Sequence, residues 1–369
     1  MSYYKKMVSI WLSLSILLCG CTDVVDLRAQ TFIVGMGIDM APNNELVLTV
    51  QEIMPDGGGG GGEESEGSAG SGDSSSGGAS AMKQMRLLTV KGKSLGYCFR
   101  ELRLRYQKKL TLDKIAYVVI GKPLLNDGIL KHIDMLIRHY EINQRVLLFM
   151  SDSSAKFAME NDKGRLLDFI TKGHLFMPTY IPSELWKEYS RMTSGGIESA
   201  MISSIDVSDK ALLLKGEAVL RGDRYAMETG KDQNRFMNLL VGERTADVIV
   251  FSDNKRTDSV EIKYYKKKVK VGRNRVHLDY KMRGTLFDTL QDKPLIHKQE
   301  LERKFESKIK LELQNLLKET TDKGTDVLGI GEKFRQKGWD TKDWPHKIKE
   351  MEFDIQVEFT IIHGQGLYE

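Results

Sequence analysis

Thr31–Asp39 is almost wholly apolar, and Glu45–Ile53 alternates with Leu46, Leu48 and Val50 on one face. The two are predicted as neighbouring strands turning at Pro42-Asn43-Asn44. Met85–Val90 reads as a third strand. A basic helix follows over about Leu95–Lys109, with Leu95, Phe99, Leu102 and Tyr106 at helical spacing. Lys114–Ile120 and Arg145–Met150 are predicted strands, Asp127–Tyr140 is a helix between them, and Ser153 opens another, an alternation of the α/β kind. From Arg165 to Ser204 the pattern is helical and loose, broken by Pro178 and Pro182, with Gly195-Gly196 as a boundary.

Beyond it the period falls to two. Ala211–Arg221, Arg224–Glu228, Ala246–Phe251, Ser259–Val271 and Arg275–Asp288 are predicted as a meander, the last pair turning at Gly272-Arg273-Asn274. Leu301, Phe305, Ile309, Leu313 and Leu316 then form one apolar stripe on a helix over about His297–Thr321, which must lie on the sheet. Gly324 ends it, and Phe353–His363 closes the chain as a strand. The expected fold class is α+β: several domains of mixed sheets packed with helices, the C-terminal one an antiparallel meander with a long amphipathic helix. The expected divisions are 1–20 (a leader), 21–195 (N-terminal α/β, in one or two subdomains) and 205–369 (C-terminal α+β). Gly57–Ser80 holds almost only Gly, Ser, Ala, Glu and Asp and has nothing large to bury, so a disordered loop is expected within a hairpin.

The first residues follow a different logic. Lys5 and Lys6 precede an apolar run over Met7–Leu18, the layout of a secretion signal and too short to span a bilayer. It ends in Leu18-Cys19-Gly20-Cys21, the pattern that a lipoprotein signal peptidase recognises through Leu18, Cys19 and Gly20. Cleavage after Gly20 would leave Cys21 to be acylated, with each buried methylene worth ~0.8 kcal/mol of anchoring.

Without Lys5 and Lys6, the 55 basic residues fall to 53 against 51 acidic ones, a balance that argues against nucleic-acid binding. Of three cysteines only Cys98 would remain free, so no intramolecular disulfide is expected.

Gly92-Lys93-Ser94-Leu95-Gly96 matches the G-x-S-x-G nucleophile elbow between a predicted strand and helix. A hydrolase would also need an acid and a histidine, and none of His132, His139, His174, His277, His297, His346 and His363 has a distinctive setting. The competing reading is that Ser94 caps the helix, worth ~1 kcal/mol. A phosphate loop would need glycine at Leu87. H-E-x-x-H, C-x-x-C and calcium-loop spacings are absent from the sequence, so neither metal nor cofactor is expected. Lys263–Arg275 is a basic hairpin bearing tyrosines: it reads either as a contact for anionic headgroups or as an edge whose lysines resist aggregation.

Taken in order, these segments resemble the Ger(x)C family, the lipoprotein C subunits of bacterial spore germinant receptors. The resemblance rests on the lipobox with Asp23 after it; on Gly35, Gly37-Ile38-Asp39, Gln51 and Pro55; and on Val119-Ile120-Gly121 with Gly128-Ile129, Asp134 and Arg138. Gly216-Glu217-Ala218-Val219 adds to it, as does Lys323–Gly331 (KGTDVLGIG) ahead of Phe334, Trp339 and Trp344. Thr22 stands where the family often has tryptophan, and the Gly57–Ser80 insert is unusually long.

The resemblance implies a non-catalytic lipoprotein of sporulation on the outer face of the inner spore membrane. Its partners would be two integral membrane subunits, A and B, of which one binds the germinant. Two rivals are an anchored solute-binding protein, which would need a cleft between lobes, and an esterase using Ser94.

Overall fold

The computed structural model describes residues 3–4, 7, 29–53, 85–162, 164–173, 180–207, 211–242, 248–253, 256–291, 296–363 and 367–368. The leader, Cys21 and the Gly57–Ser80 insert lie outside these residues.

The first hairpin forms as the alternation predicts. Strand β1 (Gln30–Met40) pairs antiparallel with β2 (Leu46–Ile53), and β2 with β3 (Met85–Gly92), so the insert interrupts an antiparallel pair. Helix α1 covers Leu95–Arg105, shorter than expected, because Lys109–Thr111 leaves it to form β4 beside β1. Strand β5 (Tyr117–Gly121) joins β1 in parallel and is followed by helices α2 (Lys122–Asp127) and α3 (Leu130–Arg138). Next come β6 (Leu147–Ser151), α4 (Ala155–Asp162), α5 (Arg165–Asp168), a π-turn over Phe169–Gly173 and α6 (Leu185–Met192). Ser154, not Ser153, caps α4 by accepting from Phe157 N at 3.0 Å.

Two expectations are corrected here. Met201–Val207 is strand β7, not loose helix: its polar Ser203 and Ser204 are buried instead of marking a surface loop, and the Ser203 hydroxyl donates to Ile181 O at 3.0 Å. The strands β8 (Leu212–Arg221) and β9 (Arg224–Glu228), read as the start of the meander, instead extend the first sheet, because β8 pairs antiparallel with β7. The order is β3-β2-β1-β5-β6-β7-β8-β9, with β4 beside β1. Val118, Ile120, Leu148 and Met150 enter one core under α1, α3 and α6, while Tyr117, Val119 and Phe149 enter another under α4 and α5. Both faces are therefore covered, and the central strands read as continuous apolar runs.

Helix α7 (Lys231–Val241), which the apolar pattern did not predict, leads into the second sheet. There β10 (Val248–Asp253), β11 (Arg256–Val271) and β12 (Arg275–Gln291) form the antiparallel meander. After the short β13 (Ile296–His297), helix α8 (Lys298–Asp322) buries the predicted stripe of Leu301, Phe305, Ile309, Leu313 and Leu316. Short helices α9 (Ile330–Gln336) and α10 (Trp344–Lys347) follow. Strand β14 (Glu352–His363) then adds parallel to β12, and β15 (Leu367–Tyr368) pairs with β13. Phe305 meets Phe251 and Phe359 at centroid distances of 6.4 and 5.8 Å, fixing α8 on this sheet. Met201, Val219 and Met227 of the first sheet share that core, so the two halves meet through apolar contact. Among the described residues no helix is long and apolar enough to cross a membrane.

Candidate functional site

Each enzymatic lead ends in a structural role. Ser94 has extended backbone (φ −154°, ψ 160°) and its hydroxyl accepts from Tyr97 N at 3.2 Å, which is an N-cap and not a strained elbow. Gly92 is required because a Cβ there would collide with the Tyr97 ring and press on Cys98 Sγ at 3.1 Å. Burial pushes the Cys98 thiol up to about 11, so little of it ionises at neutral pH. Burial likewise lowers His132 to about 4. Among the described residues no group of His, Cys, Asp and Glu could hold a metal ion. The lipobox residues Leu18, Cys19, Gly20 and Cys21 lie outside the described residues.

The N-terminal motif residues converge on one helix end. The Asp39 carboxylate accepts from Ala155 N at 2.7 Å and Lys156 N at 2.8 Å, capping α4 from the end of β1. Gly121 leaves room for that carboxylate, and Gly37 leaves room for Met159, whose sulfur would stand 2.6 Å from a Cβ. Asp223, in the β8–β9 turn, caps α3: its Oδ2 accepts from Leu130 N at 3.1 Å, while its carbonyl accepts from Ile129 N. Asp134 accepts from Tyr189 OH at 2.8 Å and pairs with Arg138 at 2.9 Å, joining α3 to α6.

A buried polar network joins α6 to β7 and β8. Glu188 of α6 accepts from Met201 N at 2.8 Å and pairs with Arg191 at 3.0 Å, and Arg191 reaches Glu198 at 2.8 Å. Burial raises Glu188 to about 7 against the opposing pull of Arg191. Burial, with the nearby charge of Glu188, also pushes the Glu217 carboxyl above the usual carboxylate range. Ser203 Oγ lies 3.0 Å from Glu217 Oε1.

Next to Glu198 in the chain, Ser199 docks the Lys323–Gly331 loop. Ser199 N donates to Asp326 O at 2.8 Å, and Asp326 N donates back to Ser199 Oγ at 2.8 Å. The Asp326 carboxylate is buried and accepts from Leu328 N (3.1 Å), Gly331 N (2.8 Å) and Trp344 Nε1 (2.9 Å). Gly329 is left-handed at φ +62°, and a Cβ on Gly331 would stand 2.6 Å from Ile197 Cβ. The motif is thus a clamp that fixes the end of α8 against the chain leaving α6. On its outer side Phe334, Trp339, Trp344 and Arg273 line an open cavity of about 470 Å³.

Asp39, Gly121, Asp134 and Asp326 in these clamps are among the motif residues singled out in the sequence. Residues 23–207 match the family described as "Spore germination protein N-terminal domain", and residues 215–365 match "Spore germination B3/GerAC like, C-terminal". The chain belongs to this spore germination family. A solved structure described as "Crystal Structure of the GerBC protein" is similar in fold, with a TM-score of 0.54 at 16% identity, covering 92% of this chain and 100% of that one. No curated protein matched the sequence. Belonging to the spore germination family agrees with the resemblance read from the motifs, and the motif glycines and aspartates now have physical duties. Sequence reasoning missed Glu188, Arg191, Glu198 and Ser203. The available signal was a glutamate in line with Leu185 and Met192 on the apolar stripe of α6.

Proposed function

We propose that the chain is the lipid-anchored C subunit of a nutrient germinant receptor. Cleavage after Gly20 frees Cys21 for acylation, which holds the protein on the outer face of the inner spore membrane. Its two working regions are one built on the first sheet, through β9, and one built on the second. It assembles with two integral membrane subunits, A and B, as a scaffold or coupling element; a membrane subunit binds the germinant, and this chain catalyses nothing.

One observation carries this reading: within a spore germination family, the marking residues are spent inside the fold. Asp39 and Asp326 hold backbone and indole N–H groups, and Gly37, Gly121 and Gly331 permit close packing. What is left for function is surface, as a coupling subunit requires. The test is Cys21→Ala in spores, following membrane retention and nutrient germination together. Loss of both, with chemically triggered germination preserved, is the expected result. Normal germination after loss of the protein from membranes would overturn the receptor role.

A further inference from the structure

The sequence pattern drew attention to the basic hairpin Lys263–Arg275, but part of its charge is compensated. Lys270 pairs with Asp279 (3.9 Å), Arg275 with Glu352 (2.6 Å) and the facing Lys281 with Glu358 (2.7 Å), while Lys267 donates to Leu240 O. A denser run of unpaired charge lies elsewhere. Between Lys91 and Lys109 there are seven basic residues and one acidic residue in a chain whose totals nearly balance. Lys91, Lys93, Arg100, Arg103, Lys108 and Lys109 are all exposed. Among the described residues none of the six forms an ion pair. Glu101 within α1, and Glu45, Glu52 and Glu141 from neighbouring elements, are acids whose charge reaches this region, Glu52 being paired with Arg86 at 3.7 Å.

Large apolar side chains stand out among these cations. Leu104 is 70% exposed and Tyr97 47%, both on the solvent face of α1, while Tyr140 beside them is 86% exposed. Tyr140 stacks on His139, which contacts Phe99 of α1, and the charge of Arg103 acts on both outer rings. A solvated charged face has no need of such side chains, whereas an interfacial helix combines them with lysine and arginine.

The chain path supplies the direction. Lys109 lies directly beside Gln30, where β1 begins. Cys21 is nine residues before Gln30, a reach of at most about 30 Å when fully extended. The patch therefore ends at the point where the chain departs for its anchor.

We infer that the solvent face of α1, with its basic flanks and Tyr140, is a contact surface for anionic phospholipid. Arg100, Arg103 and Lys108 lie over headgroup phosphates, while Leu104, Tyr97 and Tyr140 enter the interfacial layer. This rests on the reading that Cys21 is acylated, and it fixes which side of the protein faces the bilayer.

The test uses the full chain carrying Cys21→Ala, mixed with vesicles of phosphatidylcholine alone or with phosphatidylglycerol, at low and high salt. Binding should require the anionic lipid and weaken with salt. Arg100→Gln with Arg103→Gln and Lys108→Gln should lower that affinity about a hundredfold without changing the melting temperature. The same charge change at Lys266, Lys268 and Arg283 should leave it within about twofold, since those residues lie outside the patch. Equal loss in both variants, or none in the first, would overturn the assignment. Binding to soluble polyglutamate but not to vesicles would assign the patch to an acidic protein instead. Mass measurement of Cys21 in the membrane-extracted parent chain separates the two readings. Acylation without charge-dependent binding removes the patch; charge-dependent binding with unmodified Cys21 removes the anchor.

Discussion

The Asp326 carboxylate accepts the indole N–H of Trp344 at 2.9 Å, with both side chains buried where the end of α8 meets the segment after α6. Asp326→Ala would strand that donor and the N–H groups of Leu328 and Gly331 together, and should cost about 3 kcal/mol or more. Trp344→Phe removes one bond while keeping most of the apolar contact, and should cost clearly less. Urea denaturation should give that order; equal midpoints for the two variants would refute the clamp.

Two Gly→Ala changes should have opposite signs. Gly121→Ala drives a methyl into the Asp39 carboxylate that caps α4, and should destabilise by roughly 2 kcal/mol. Gly96 sits within α1, and an added Cβ meets nothing within 4 Å. Gly96→Ala should therefore stabilise by up to about 1 kcal/mol through helix propensity. Thermal melts of both variants check the pair.

Stability should fall as pH rises from about 5 to 7. Burial lifts the Glu188 carboxyl from 4.5 to about 7, so over that interval the folded chain keeps a proton that the unfolded chain has released. This contribution is complete below the unfolded value and is lost as pH passes the folded one. Asp162 and Asp326, each raised by burial to about 6, act in the same direction and together outweigh His132, which burial lowers to about 4 and which acts against them below about pH 6.5. Glu188→Gln should flatten the slope. A melting temperature that climbs across this window in the parent chain would contradict the account.

Ser94→Ala should lose the Tyr97 N–H bond and about 1 kcal/mol of stability. Neither parent nor variant should take a fluorophosphonate label. Labelling of the parent that vanishes in the variant would restore the hydrolase reading.

Cys98 is wholly buried, and its thiol is pushed up to about 11. Iodoacetamide at neutral pH should modify it slowly in the native chain and rapidly once urea unfolds it. Fast native labelling would show that α1 opens readily.

Elements with strong local period were legible. The stripe from Leu301 to Leu316 gave α8 to within a residue at each end, and Leu46, Leu48 and Val50 gave β2. The failures have identifiable causes. Strand β7 buries its two serines inside the fold, so its polarity misled. Helix α7 turns polar Asn234 and Asn238 into the core, which blurs its stripe; Gly230 and Gly242 at its ends were the readable signs. That β8 and β9 join the first sheet depends on pairing between distant strands, which no local pattern encodes. The candidate site was half visible. Asp39, Gly121 and Asp326 stood out as motif positions, but their bonding partners lie 116 residues away for Asp39–Ala155 and 127 for Asp326–Ser199.

The placement of β1 also bears on mechanical load. This strand lies inside the first sheet, hydrogen-bonded to β2 on one side and to β4 and β5 on the other. A pull on the chain ahead of Gln30 runs along β1, across those bonds and not in line with them. They must then yield together in shear and cannot unzip one at a time. A tether entering there would transmit force to the whole sheet before the fold gave way.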